Sequence, residues 1–316
     1  MPKHSKPRRG SLQFYPRKRS RKILPRVNWD SFSNETGLLG FIGYKIGMKS
    51  AYVKDNTPNS LTKGQRITIP VTIIECPTIK ILSVRFYKNK RIMGEVVNQN
   101  LDKELKKKIK FPKNYKKKID DFEKEDFEDI RIVVYSQVKK TGIKKTPDIV
   151  EIGLSGTKEE KLEFVKNNVN REISVSDIFK EGLVDIRGVT KGKGTQGPTK
   201  RFGLTLQTHK TEKGQRGPGS GGPWHPARVE FTQPMAGQMG YFTRVVYNSK
   251  IVFIGNISEK NINPPQGFKH FGKINTSYIV LQGSFQGPVK RQLIITPPLR
   301  PHKKQIKKNF EFIELR

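Results

Sequence analysis

The spacing of apolar residues changes twice along the chain. Residues 37–87 read as strands. Gly37-Leu-Leu-Gly40-Phe-Ile-Gly43-Tyr-Lys-Ile-Gly47-Met48 sets four glycines among apolar residues, which fits a bent barrel strand. Arg66–Cys76 and Lys80–Tyr87 are rich in β-branched residues. Pro70 requires an edge position or a bulge, because it has no N–H to give a ladder. Over 88–182 the period lengthens. Leu101, Leu105 and Ile109 recur every four residues as a short helical stripe, and Ile130–Tyr135 is a strand. Thr157-Lys-Glu-Glu160 is a capping box, opening a helix with Leu162, Val165 and Val169 on its apolar face. Ser174–Asp177 is a second box and predicts a short helix stopped by Gly182. Residues 183–296 return to short strands at 182–189, 227–231, 243–247, 250–255, 277–282 and 292–296. Neither strand-rich stretch can close a barrel alone. The pattern therefore predicts a mainly β fold: a closed β-barrel from 37–87 and 183–296, interrupted by an α/β insertion over 88–182.

Charge says what such a fold is for. The 316 residues hold 62 Lys and Arg against 28 Asp and Glu, a formal charge of +34. A compact chain repels itself at that density unless a polyanion neutralises it. Nucleic acid and anionic membrane are the obvious ones. No apolar run reaches the roughly 18 residues of a membrane span, and the basic N-terminus lacks the apolar core of a secretory signal. Cys76 is the only cysteine, which excludes an internal disulfide framework and multi-cysteine metal sites and points to a reducing compartment. The histidines at 4, 209, 225, 270 and 302 have no ligand spacing, so only distant segments together would build a metal site. No cofactor is expected.

The charge is concentrated in three places. Residues 1–28 carry ten Lys/Arg, among them Lys3, Arg8, Arg9, Arg17 and Arg19, and no acid. Four prolines break that segment, and it is too polar to form a core. It is either a solvated tail or, as the recurrence of the bias favours, an arm ordered on phosphates, with Phe14 and Tyr15 available to stack on bases. Residues 290–308, beginning at Lys290 and Arg291, repeat the bias, and 297–316 is expected as a Pro-broken tail. Between Gly188 and Gly240 lie 12 of the 28 glycines, with Lys191, Lys193, Lys200, Arg201, Lys210, Lys213, Arg216 and Arg228 against Glu212 and Glu230 alone. A loop so long and glycine-rich is functional or disordered. Its glycines let backbone approach phosphate closely, and its lysines supply charge. The lysine block 103–118 is balanced between a solvated helix face and an RNA contact.

Gly192-Lys-Gly194-Thr-Gln-Gly197 matches a dinucleotide fingerprint, but Pro198–Gly203 offers no apolar helical period for the helix that such a site needs. No nucleophile elbow, kinase signature or carboxylate pair is present, so an enzyme reading fails. Trp224-His225 stands in a polar Gly/Pro loop flanked by basic residues. It either folds back onto the barrel or, the preferred reading, forms an aromatic wedge that stacks on nucleobases. Trp29, where the arm joins the strands, reads as a packing anchor.

Several of these stretches together resemble one known family. They are M-P-K-H-S-K-P-R-R-G-S-L at 1–12, G-L-L-G-F-I-G-Y-K-I-G-M at 37–48, R-G-V-T-K-G-K-G-T-Q-G-P-T-K-R at 187–201, G-P-W-H-P-A-R-V at 222–229, A-G-Q-M-G-Y at 236–241 and V-K-R at 289–291. The chain resembles the universal large-subunit ribosomal protein L-three family in its archaeal and eukaryotic form, along its whole length. That resemblance implies a non-enzymatic constituent of the large ribosomal subunit, in the cytoplasm. It implies a barrel with an α/β insertion, an N-terminal extension over 1–36, and a long finger loop over 188–240. The family binds large-subunit ribosomal RNA early in assembly. Its loop tip, whose Trp corresponds to Trp224, lies near the aminoacyl side of the peptidyl-transferase centre. Partners implied are large-subunit RNA and neighbouring ribosomal proteins, with no membrane and no homo-oligomer. The expected RNA contacts are Lys3, Arg8, Arg9, Arg17, Arg19, Lys191, Lys193, Lys200, Arg201, Lys213, Arg216, Trp224, His225, Arg228, Gln238, Arg244, Lys290 and Arg291. Thr205–Gly222 is less basic than the family's finger, and the modified histidine of eukaryotic members has no counterpart at His209.

Overall fold

The computed structural model of the chain describes residues 9–32, 37–115, 119–123, 126–222, 224–225 and 227–316. Lys3, Arg8 and part of the lysine block therefore lie outside the described residues. The strands, in chain order, are β1 (Gly37–Leu38), β2 (Phe41–Asp55), β3 (Arg66–Glu75), β4 (Ile79–Lys88), β5 (Arg91–Val97), β6 (Asp129–Ser136), β7 (Ile149–Ser155), β8 (Leu183–Val189), β9 (Thr195–Gln196), β10 (Gly237–Gln238), β11 (Thr243–Asn256), β12 (Ser277–Gln282), β13 (Gln292–Thr296) and β14 (Phe310–Leu315). Helices are short: α1 (Asp120–Glu123), α2 (Lys158–Asn168), α3 (Pro198–Phe202) and α4 (Lys303–Ile306). The fold is mainly β, as the alternation predicts.

The chain divides into two compact units. The larger, or body, is Leu24–Gly188 with Val245–Arg316. It carries a seven-stranded sheet in the order β13-β8-β11-β12-β3-β2-β14, in which β13 also pairs with β2, and a five-stranded sheet in the order β1-β7-β6-β4-β5. Alternation along the strands sends side chains to different clusters. On β12, Ile279 and Leu281 face one core, while Tyr278 and Val280 face another. On β6, Ile130, Ile132 and Val134 face the first core, while Val133 and Tyr135 turn to the opposite side. There they are covered by Leu105, with Leu101, Ile109 and Phe111 packed alongside. The four-residue stripe is real, but it rides on a 3-10 turn at Lys103–Lys107 rather than an α-helix.

Glycines decide two details. Gly37–Met48 is not one bent strand. It breaks at Leu39–Gly40 into β1 and β2, which pair in different sheets. The register of β2 against β3 shifts between Lys45 and Gly47, a bulge that bends β2. Pro70 is tolerated inside β3 because β12 ends opposite Val71, leaving Pro70 locally at an edge on that side.

Several expectations need correction. Lys80–Tyr87 belongs to β4, which pairs with β5 and β6 and not with β2 or β3, since its two buried faces match the five-stranded sheet. Residues 243–247 and 250–255 are one strand, β11, with a left-handed residue at Asn248 and a register shift near Val252. Residues 227–231 form no strand, having no ladder partner. The Ser174–Asp177 box makes its Ser174 N–H bond to Asp177 Oδ2 at 2.9 Å, yet closes only a single turn. The 297–316 tail is not unstructured, because beyond its prolines Phe310–Leu315 pairs with β2. The Thr157–Glu160 box forms in full, with both hydrogen bonds present at the start of α2.

Candidate nucleic-acid interface

The second unit joins Met1–Ile23 to Val189–Arg244, so the basic arm and the glycine-rich loop fold together. The base of the loop is a narrow ladder. Thr190 N–H donates to Phe242 O, Lys193 N–H to Met239 O and Met239 N–H to Gly194 O, each at 2.9 Å, continuous with the β9–β10 pair. Gly197 then caps α3, whose first residue is proline and whose end is the left-handed Gly203. A helix thus does follow the G-x-G-x-x-G motif, contrary to the sequence expectation, because Pro198 is preorganised for a first helical turn. With five residues it is too short for the helix a dinucleotide site uses.

Phe202, on α3, is the buried aromatic of this unit. The arm is built onto it. The Arg17 guanidinium lies 4.2 Å over the Phe202 ring and 5.5 Å over Tyr15. Gly10 lets the chain pass close: its φ is +83°, and a Cβ there would sit 2.7 Å from Arg17 Nη2 and 2.8 Å from Phe202. Arg17 and Arg201 are tied reciprocally. Arg17 Nη1 donates to Arg201 O at 3.1 Å, and Arg201 Nη2 to Arg17 O at 3.5 Å. Arg201 also donates from Nε to Gln238 O and from Nη1 to Met235 O, both at 2.9 Å. Its fork therefore spans arm, α3 and β10. Burial, then the neighbouring Arg17 charge, push Arg201 below the ordinary arginine range. Further along the arm, Ser20 N–H donates to Tyr241 O at 2.9 Å, and Arg19 lies 5.4 Å over the Tyr241 ring. Arg244 lies 4.0 Å over Phe14. Tyr15 meets Phe231 edge-on at 6.0 Å.

The candidate residues thus fall into two groups. Arg17, Arg201, Arg244 and Gln238 make contacts inside the unit, Gln238 through Nε2 to Gly240 O at 3.0 Å. Arg9, Arg19, Lys191, Lys193, Lys200, Lys213, Arg216, Arg228 and His225 are exposed. Trp224 is 88 % exposed, the most open aromatic among the described residues, and Phe231 follows at 78 %. Trp29, by contrast, is buried in the body. Lys290 and Arg291 belong to the body beside β13, where Lys290 N–H donates to Lys45 O. No sequence signal announces the Arg17–Arg201 tie, whose partners stand 184 residues apart.

Among the described residues no group of three His, Cys, Asp or Glu is placed to hold a metal, and no helix is long and apolar enough to cross a membrane.

The family model for ribosomal protein L3 matches residues 1–316. The chain belongs to the ribosomal protein L3 family. It is 43 % identical to large ribosomal subunit protein uL3 of Methanocaldococcus jannaschii, over 96 % of this chain and 94 % of that protein. Against uL3 of Archaeoglobus fulgidus the identity is 41 %, over 95 % and 94 %, and against uL3 of Methanosphaera stadtmanae 39 %, over 97 % and 95 %. Membership of the L3 family sets the chain among structural ribosomal proteins and not among enzymes, in line with the absence of any catalytic signature in its sequence.

Proposed function

We propose that the chain is a structural constituent of the large ribosomal subunit in the cytoplasm. It binds large-subunit ribosomal RNA, supports early subunit assembly beside neighbouring ribosomal proteins, and positions RNA near the peptidyl-transferase centre through the loop that ends in Trp224. The observation that carries this reading is the make-up of the loop unit. Its two segments hold eighteen Lys and Arg against two acids. Internal ties by Arg17 and Arg201 hold the base, while the described lysines and Trp224 are left outward. Phosphate pairing then supplies affinity, and the open indole supplies a stacking face worth roughly 1–3 kcal/mol. For the body we infer the barrel expected from the sequence. The double pairing of β13, to β8 and to β2, supports a ring of β2, β3, β12, β11, β8 and β13, with the five-stranded sheet as the inserted part.

Trp224→Ala tests the loop. Because the ring is so exposed, the isolated variant should melt with wild type, and large subunits should still assemble. Aminoacyl-tRNA binding or sensitivity to peptidyl-transferase inhibitors should change, with altered chemical probing of nearby nucleotides. Normal tRNA binding and normal inhibitor response in variant subunits would refute the role given to the loop tip.

A further inference from the structure

The lysine block that the loop unit does not absorb lies in the body, on the outer side of the five-stranded sheet. Residues 103–113 and 139–145 hold ten lysines, no arginine and one acid, Glu104. The apolar stripe fixes how they face. Leu105 is fully buried against Leu82, Val133 and Tyr135, with Leu101, Ile109 and Phe111 packed beside it. Lys103, Lys106, Lys107, Lys110 and Lys113, which interrupt that stripe, are consequently exposed. The second segment is drawn alongside by polar links. Lys139 Nζ lies 2.6 Å from Glu104, Lys108 Nζ donates to Pro147 O at 3.2 Å, and Lys144 Nζ lies 2.5 Å from Asp148.

The acids nearby are already committed. Glu104 holds Lys139. Asp148 is buried and accepts from the Tyr44 hydroxyl at 2.6 Å. In the acidic block at 120–129, the three acids from Asp126 onward are held by groups outside the lysine face. Asp126 pairs with Lys88, Asp129 with Arg131 and Lys161, and Glu128 accepts from Asn89 N–H. Lys103, Lys106, Lys107, Lys110, Lys113 and Lys145 are thus left with no acidic partner among the described residues.

The same sheet shows what a solvent-facing surface of this protein looks like. Helix α2 mixes Lys158, Lys161 and Lys166 with Glu159, Glu160 and Glu163. An unmixed lysine face repels itself and calls for a polyanion. We propose that this face is a second RNA-binding surface, separate from the loop unit, which takes backbone phosphates without reading bases. The absence of arginine supports the second half. Lysine is a compact, mobile point charge, whereas arginine's planar fork gives oriented, bidentate recognition. In the loop unit half of the basic residues are arginine. The inference rests on the reading of the chain as an RNA-binding ribosomal protein.

The test uses the full chain and large-subunit ribosomal RNA. Wild type and a variant with Lys103, Lys106, Lys107, Lys110, Lys113 and Lys145 all changed to Gln are titrated across a salt series. Each lost phosphate contact flattens the slope of log affinity against log salt by about 0.7–0.9. Six contacts would remove about 4–5 from it, while chemical protection of RNA by the loop unit should stay as in wild type. In parallel, wild-type lysines are acylated with and without RNA. Residues 103–113 should be protected in the complex, while Lys158 on α2 stays reactive in both, and this arm holds even if the variant folds poorly. If wild type itself fails to bind the RNA, the proposed function falls. If it binds but slope and reactivity do not change, only the second surface falls. An unchanged slope with loss of a neighbouring ribosomal protein from variant subunits would assign the face to a protein partner instead.

Discussion

Glu75 places a carboxyl inside the body. Its side chain is fully buried on β3. Oε1 accepts from Asn275 N–H at 2.9 Å, Thr276 N–H at 3.1 Å and the Thr276 hydroxyl at 3.0 Å, but Oε2 has no hydrogen-bond partner among the described residues. Burial outweighs these donors and raises the carboxyl above the ordinary carboxylate range. The folded state therefore binds this proton more tightly than the unfolded chain, whose value is about 4.3. The protonated group's stabilising contribution is complete below that value and is lost as pH rises through the folded one. Glu75→Gln removes the charge, and an unpaired neutral amide costs less than an unpaired carboxylate. The variant should melt above wild type at pH 7, and the gap should close toward pH 4 in paired thermal melts. Arg201 is the second decisive residue. Arg201→Lys keeps the charge but cannot reach three carbonyls at once. Hydrogen exchange at the amides of Ser20 and Met239 should accelerate, with the body's amides unaffected. Equal protection in variant and wild type would show that the fork is not what fixes the arm.

At the scale of elements, the short turn Trp29–Ser31 fixes the start of the body. Trp29 sits where two glycines make room. A Cβ at Gly153 would lie 2.6 Å from its Cβ, and one at Gly40 would lie 2.9 Å from its ring. Trp29→Ala should therefore cost about 3–5 kcal/mol, measured by denaturant unfolding. The exposed Trp224 should show no such loss under the same change. The difference between the two tryptophans was legible in the sequence, because one adjoins alternating apolar residues and the other only Gly, Pro and basic residues. So were β12 and β13 to the residue, since their β-branched runs end at glycine or proline turns. What misled was information the local pattern does not carry. A strand's sheet is set by its partner, so 80–87 looked like its predecessors. β14, with Glu311 and Glu314 among its apolar residues, gains its order from pairing with β2. The α3 turn was obscured by its proline and two basic residues, though proline is at home in a first turn.

Across the whole molecule, charge is partitioned by region. Residues 88–182 hold 18 of the 28 acids, and eight of these form ion pairs among the described residues. Arg131 alone meets Asp30, Asp129 and Glu151 at 2.6, 3.0 and 3.6 Å. The rest of the chain is left overwhelmingly cationic. Away from the lysine face, ion pairs offset charge across the five-stranded sheet, whereas the loop unit is held by its narrow backbone ladder, its arginine ties and Phe202. Composition made the basic arm and loop visible from the outset. It could not separate arginines that brace the unit from lysines turned outward, because that division depends on contacts between segments far apart in the chain.

The tie between Arg17 and Arg201 also sets a timetable. Its halves are 184 positions apart. At a synthesis rate of about 5–20 residues per second, Arg17 waits about 10–40 s for the carbonyl it will hold. During that interval the arm is a polycation without the loop that later holds it. On the proposed RNA-binding function, RNA met in that interval would compete with the arm's own loop, and translation speed as well as affinity would decide which it finds first.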